Sequence, residues 1–183
     1  MSITVEATAL SGPLIIEPKV YEDERGLFCE TYNQQDFQKA TGQQISFVQD
    51  NWSQSRKSVL RGLHYQLEHP QGRLIRVTHG EIFDVSVNLQ KNHADFGKWV
   101  GVILSDKNHR QLWIPPGFAH GFLALSDSTD IAYKTTEYYY PNLDRNIAWN
   151  DPDIGIKWPI THAPILSERD AHAPSLKNAL LYD

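Results

Sequence analysis

A cation and an imidazole stand three residues apart in Arg61-Gly62-Leu63-His64-Tyr65. An unperturbed imidazole changes charge near pH 6.5, so His64 is a candidate general base at neutral pH. A histidine of a barrel wall, satisfied by a backbone carbonyl, reads the same way in sequence. A second histidine, His120, follows a Pro-Gly turn in Pro115-Pro116-Gly117-Phe118-Ala119-His120-Gly121-Phe122. The stretch Tyr133-Lys134-Thr135-Thr136-Glu137-Tyr138-Tyr139-Tyr140 is rich in phenols. Such rings pack in strands, donate protons, or stack flat on a nucleobase. Arginines are scattered along the chain, among them Arg25, Arg61, Arg73, Arg76, Arg110, Arg145 and Arg169. Their fork of donors suits a diphosphate, and isolated ones are also ordinary surface ion-pair partners. Asp151-Pro152-Asp153 lacks the further ligands of a calcium loop and reads as a turn.

The elements that must hold these side chains are short strands separated by turn residues. Leu14–Glu17, Gly26–Tyr32 and Ile45–Asn51 are predicted strands, with a short helix over Asn33–Ala40. Leu74–His79 and Glu81–Asn88 form the clearest pair. In the latter, Ile82, Asp84, Ser86 and Asn88 alternate with Phe83, Val85, Val87 and Leu89. Trp99–Leu104, Gln111–Ile114, Gly121–Leu125 and Asp130–Thr135 continue at the roughly 8–12-residue spacing of a sandwich or barrel. From Tyr140 onward prolines multiply, predicting loops laid over the barrel, with helix again after Ser167. The fold class is all-β: one antiparallel jelly-roll barrel spanning residues 1–183, with short peripheral helices and a loop-rich C-terminal tail.

Composition narrows the function. With 17 basic and 22 acidic residues the net charge is −5, which argues against nucleic-acid binding by a broad positive field. A small phosphorylated ligand needs only a few local arginines. No segment approaches the roughly 20 apolar residues of a membrane span, and the first ten residues lack the pattern of a secretory signal. The single cysteine, Cys29, suits a reducing, cytoplasmic setting. Within Leu27-Phe28-Cys29 it is expected to be a buried structural thiol.

The Pro-Gly turn followed by His120-Gly121 resembles the second motif of the cupin superfamily of jelly-roll proteins. In metal-binding cupins the first motif carries His-x-His, but here Leu63-His64-Tyr65-Gln66 has Gln66 at the second position. A metal site is therefore not expected.

Taken together, the chain resembles the dTDP-4-dehydrorhamnose 3,5-epimerase family along nearly its whole length. The matching segments include Asp23-Glu24-Arg25-Gly26, Phe47-Val48-Gln49-Asp50-Asn51, Val59-Leu60-Arg61-Gly62-Leu63-His64 and Gly80-Glu81-Ile82-Phe83-Asp84-Val85. Further ones are Arg110-Gln111-Leu112-Trp113-Ile114-Pro115, Gly117-Phe118-Ala119-His120-Gly121-Phe122, Tyr133-Lys134 and Trp149-Asn150-Asp151.

The resemblance implies a dTDP-4-keto-6-deoxyglucose substrate, no cofactor, and a homodimer that exchanges strands and site residues. By the same resemblance His64 is the base at C3 and C5, and Asp170 is the partner that orients it. Tyr133 is the acid on the opposite ring face, and Arg73 is the cation facing the enolate oxygen at C4. Arg25, Glu30, Gln49, Asn51, Arg61 and His120 are implied substrate contacts, with Tyr139 or its neighbour Tyr138 stacking on thymine. Asp144 and Arg169 belong to the same set. At three positions the chain departs from the family pattern: Arg73 and Arg169 stand where lysine is usual, and Asp144 where glutamate is usual.

Competing classes are a mono-epimerase of a related dTDP-ketosugar, a metal-dependent cupin, and a non-catalytic sugar-binding jelly roll.

Overall fold

The computed structural model describes residues 3–182. The strands are β1 (Ile3–Ala7), β2 (Leu14–Pro18), β3 (Val20–Asp23), β4 (Gly26–Cys29), β5 (Gln49–Arg56), β6 (Leu60–Gln66) and β7 (Arg73–His79). They continue with β8 (Glu81–Asn88), β9 (Trp99–Ser105), β10 (Gln111–Ile114), β11 (Phe118–Ala124), β12 (Ser128–Thr135) and β13 (Asp144–Asn146). Two helices, α1 (Gln34–Thr41) and α2 (Glu168–Ala171), and a 3₁₀ turn at Leu176–Asn178 complete the described elements.

The strands form two antiparallel sheets, ordered β1-β2-β10-β7-β12-β5 and β13-β6-β11-β8-β9, while β3 and β4 make a separate hairpin. This is the expected jelly-roll barrel. Strand alternation decides which side chains enter it. Ile75, Val77, Leu112, Ile114 and Ile131 from one sheet meet Ile82, Leu104, Phe118 and Phe122 from the other. The opposite face of the five-stranded sheet carries Leu63, Tyr65, Val85, Val87 and Leu89. It is covered by the chain after Ile147, through Ile154, Trp158, Leu176 and Tyr182.

Helix α1 closes the outer face of the six-stranded sheet. Asn33 caps it by accepting from the N–H groups of Gln35 and Asp36, and Gly42 ends it in the left-handed region at φ 71°. Its one buried residue, Phe37, sits edge-on to Trp113 at 5.6 Å between ring centroids.

Three expectations need correction. The strand expected at Ile45–Asn51 begins instead at Gln49 and runs to Arg56. The Leu27-Phe28-Cys29 run is not core: Leu27 and Phe28 are 55% and 68% exposed on the hairpin, and Cys29 is only partly buried. The predicted tail helix amounts to one turn.

Gly62 and Gly121 let the two histidine-bearing strands approach closely. Gly62 has φ 129°, and a Cβ on it would lie 2.5 Å from Gly121 Cα.

Candidate active site

The open end of the barrel holds a pocket of about 420 Å³. His64 on β6 and His120 on β11 are register partners, so both rings emerge from the same face of the five-stranded sheet. Along β6, Leu63 and Tyr65 belong to the apolar cluster behind the sheet, which turns His64 inward.

Each histidine has a carboxylate. His64 Nε2 lies 2.6 Å from Asp170 Oδ1, across 106 residues of sequence. Asp170 is the only buried residue of α2, and its N–H donates to the capping Ser167 Oγ at 3.1 Å. Burial pushes the Asp170 carboxyl upward, but His64, Ser167 and the Gly62 N–H outweigh it and hold the group below the usual carboxylate range. His120 Nε2 lies 2.9 Å from Asp84 Oδ2. Asp84 is fully buried, and its Oδ1 has no hydrogen-bond partner. Burial raises the Asp84 carboxyl above its ordinary value against the pull of His120 and Arg73.

Arg73 Nη1 donates to the His64 carbonyl at 3.0 Å, and Nη2 points to Gln71 Oε1 at 3.4 Å. Burial lowers the Arg73 guanidinium, while Tyr133, Tyr182, Asp144 and Asp84 pull it upward. Arginine stays charged against such a shift. Tyr133, opposite Asn51 on β5 and Ile75 on β7, brings its phenol into the same pocket.

The mouth is polar. Tyr139 donates its hydroxyl to Asp144 Oδ2 at 3.1 Å and its N–H to Gln49 Oε1, also at 3.1 Å. Arg169 Nη1 reaches the same Asp144 oxygen at 2.5 Å. Gln49 Nε2 donates to Asn51 Oδ1 at 2.8 Å. Arg61 is anchored through Ser55 Oγ and the Gln54 carbonyl, at 3.1 and 3.2 Å.

Gln49, Asn51, Arg61, His64, Arg73, His120, Tyr133, Tyr139, Asp144 and Arg169 thus share one pocket, with Asp170 behind His64. Arg25, Glu30 and Tyr138 do not line it. Arg25 pairs with Asp23 at 2.5 Å on the hairpin turn. Glu30 follows that hairpin and lies 3.5 Å from Asn33 Nδ2. Tyr138 is exposed and uses its carbonyl to accept from Gln66. Gln66 itself is buried, donating to the His69 and Tyr138 carbonyls and accepting from the Tyr140 N–H.

Sequence reasoning missed Ser53, Gln71, Phe122, Ile131 and Thr135 in the lining, and Asp84 behind His120. Asp84 had a signal: a lone carboxylate on the inward-facing residues of an apolar strand. Among the described residues no group of three or more His, Cys, Asp or Glu side chains is placed to hold a metal ion. None of the described helices is long and apolar enough to cross a membrane. A second depression of about 350 Å³, lined by Tyr32, Trp52, Arg76 and Lys134 among others, contains no histidine.

A carboxylate-oriented base, a phenol and a cation around one cavity suit proton abstraction next to a carbonyl. Residues 7–178 match the family profile described as dTDP-4-dehydrorhamnose 3,5-epimerase. A dTDP-4-dehydrorhamnose 3,5-epimerase of Salmonella typhimurium is 55% identical over 175 residues, covering 95% of this chain and 96% of that protein. The crystal structure of a Legionella pneumophila dTDP-6-deoxy-D-glucose-3,5-epimerase in complex with dTDP-4-keto-L-rhamnose superposes with a TM-score of 0.94. It is 47% identical and covers 96% of this chain and 94% of its own. A 3'-monoepimerase from Streptomyces bikiniensis, in complex with dTDP-quinovose, shares the fold at a TM-score of 0.88. It has 29% identity, covering 93% of this chain and 86% of its own.

Proposed function

Because the chain belongs to the dTDP-4-dehydrorhamnose 3,5-epimerase family, we propose that it inverts C3 and C5 of dTDP-4-dehydro-6-deoxy-D-glucose. The product is dTDP-4-dehydro-L-rhamnose, on the way to dTDP-L-rhamnose. The observation that carries this reading is the His64–Asp170 pair in a pocket shared with Tyr133 and Arg73.

Nε2 of His64 is committed to Asp170, which leaves Nδ1 to take the proton from the carbon beside the C4 ketone. The C–H electron pair moves into an enolate whose oxygen faces Arg73. Tyr133 returns a proton to the opposite face of the ring, which inverts the centre. One inversion leaves His64 protonated and Tyr133 as phenolate. Moving one proton from the former to the latter, directly or through solvent, resets the site for the second carbon. Every step is acid–base chemistry, and no electron acceptor is required. Arg61 is assigned to the diphosphate and Tyr139 to the thymine ring. The single cysteine agrees with a cytoplasmic setting.

Proton NMR of the ketosugar nucleotide in deuterated water, with a chelator present, tests the reading. Loss of both H3 and H5 signals is expected. Loss of one alone would make the protein a mono-epimerase, a reading kept in view by the shared fold of the Streptomyces enzyme. No exchange would overturn both.

The protein is further assigned as a homodimer in which the β3–β4 hairpin of one subunit reaches the other's pocket. Arg25 and Glu30 do not line their own pocket, while Tyr21, Leu27, Phe28 and Trp52 leave an exposed apolar surface. Sedimentation of the wild type should give twice the 20.9 kDa chain mass. Phe28→Asp should shift it to monomer and reduce activity together; an active monomer would defeat the assignment.

A further inference from the structure

Gln71 lines the pocket, has no part in the assigned chemistry, and is committed at both ends of its amide. Its Nε2 donates to the Glu137 carbonyl at 2.9 Å, and its Oε1 accepts from Arg73 Nη2 at 3.4 Å. A carbonyl only accepts, so the amide nitrogen must face Glu137 and the oxygen is what meets the guanidinium. The backbone beside it is fixed as well. The Gly72 N–H donates to Thr136 Oγ1 at 2.8 Å, and the Gly72 carbonyl accepts from the Thr136 N–H at 3.0 Å. The chain entering β7 is thereby locked onto the end of β12, and Gln71 is held in place with it.

Arg73 opens β7. Its Nη1 is held by the His64 carbonyl and its Nη2 by Gln71, one anchor on each arm of the fork. A guanidinium is planar, so the direction in which its remaining donors point depends on both arms. We infer that Gln71 is a positioning residue for the enolate cation, holding the second arm of Arg73 so that the guanidinium faces the C4 oxygen. This rests on the proposed epimerase reading. The plain alternative is a latch: Glu137 lies two residues before Tyr139, so the same amide would merely steady the pocket mouth. The two roles differ in kinetics. The enolate exists only after abstraction, so a misplaced Arg73 lowers kcat and kcat/KM together, whereas a loosened mouth raises KM and spares kcat.

Steady-state kinetics of Gln71→Met, Arg73→Met and the double variant decide between them, with kcat referred to folded protein by near-UV circular dichroism. Gln71→Met is expected to lower kcat about 10-fold with KM little changed, a fraction of the cost of a full 1 Å misplacement. In the Arg73→Met background the same replacement should cost nothing further, because the group it positions is gone. Gln71→Asn keeps the amide but is one methylene too short to reach both partners. It should repeat the loss, which guards against a methionine variant that fails to fold. A rise in KM alone, an equal loss in the Arg73→Met background, or full activity of the Gln71 variants would overturn the assignment. Absence of ring-proton exchange by the wild type would instead overturn the functional reading.

Discussion

Replacing His64 with alanine is expected to lower turnover by about 100- to 10,000-fold, the usual contribution of a positioned general base. Exchange of H3 and H5 with deuterated water should disappear with it. The fold should survive, because His64 is partly exposed at the pocket and Asp170 keeps its Ser167 contact. The informative companion is Tyr133→Phe, which removes the acid and leaves the base. That variant should wash deuterium into the substrate while inverting neither carbon, because protons return only from the face they left. Two variants with the same loss of product would thus differ in their spectra. Inversion by either variant at the wild-type rate would break the assigned roles.

Arg73→Met is expected to carry the second large effect, on both rate and stability. A developing enolate loses its facing cation, worth about 100- to 1,000-fold in kcat by analogy with oxyanion-hole donors. The His64 carbonyl loses its donor at 3.0 Å, and the fully buried Asp84 loses one of the two neighbours, Arg73 and His120, that offset its burial. An acceptor left unsatisfied in such a place costs about 1–3 kcal/mol. Denaturant unfolding should register that loss independently of the assay. Arg73→Lys keeps a charge but replaces a two-armed donor with a point donor, so it should fall between Met and wild type. Normal kcat in Arg73→Met would remove the cation from the mechanism.

Where alternation of apolar and polar residues carried the signal, the fold was legible from sequence. Strands β7, β8, β9 and β10 lie where Leu74–His79, Glu81–Asn88, Trp99–Leu104 and Gln111–Ile114 predict them. The bounds of strand β5 were displaced because the residues it turns inward, Asn51, Ser53 and Ser55, are polar. Asn51 and Ser53 line the pocket, so function erased the pattern that usually marks a strand. The opposite error arose on the hairpin, where Leu27 and Phe28 read as core but face outward. An exposed apolar run has the same composition as a buried one, so sequence pattern alone reads both as core.

Most of the site came from motif resemblance, not periodicity. No local pattern links His64 to Asp170 over 106 residues, and the structure supplies that contact. Asp84 went unnoticed as a partner of His120 because its pairing depends on adjacent strands in the barrel, a tertiary fact. Asp144 and Arg169, expected among the substrate contacts, line the pocket, where the Asp144 carboxylate accepts from Tyr139 and Arg169.

The covering of the five-stranded sheet by the chain beyond Ile147 has a consequence for how the protein is made. Strands β6, β8 and β11 precede in the chain the segment that shields Leu63, Val85, Val87 and Leu89, and so leave the ribosome before it has emerged. A nascent chain at that stage displays a greasy wall to its surroundings, the kind of surface that invites chaperones or aggregation. Asp170 belongs to the same late segment, so His64 acquires its partner only as that wall is sealed. A chain whose synthesis stops short of the seal is both sticky and inert, and catalytic competence arrives together with colloidal safety.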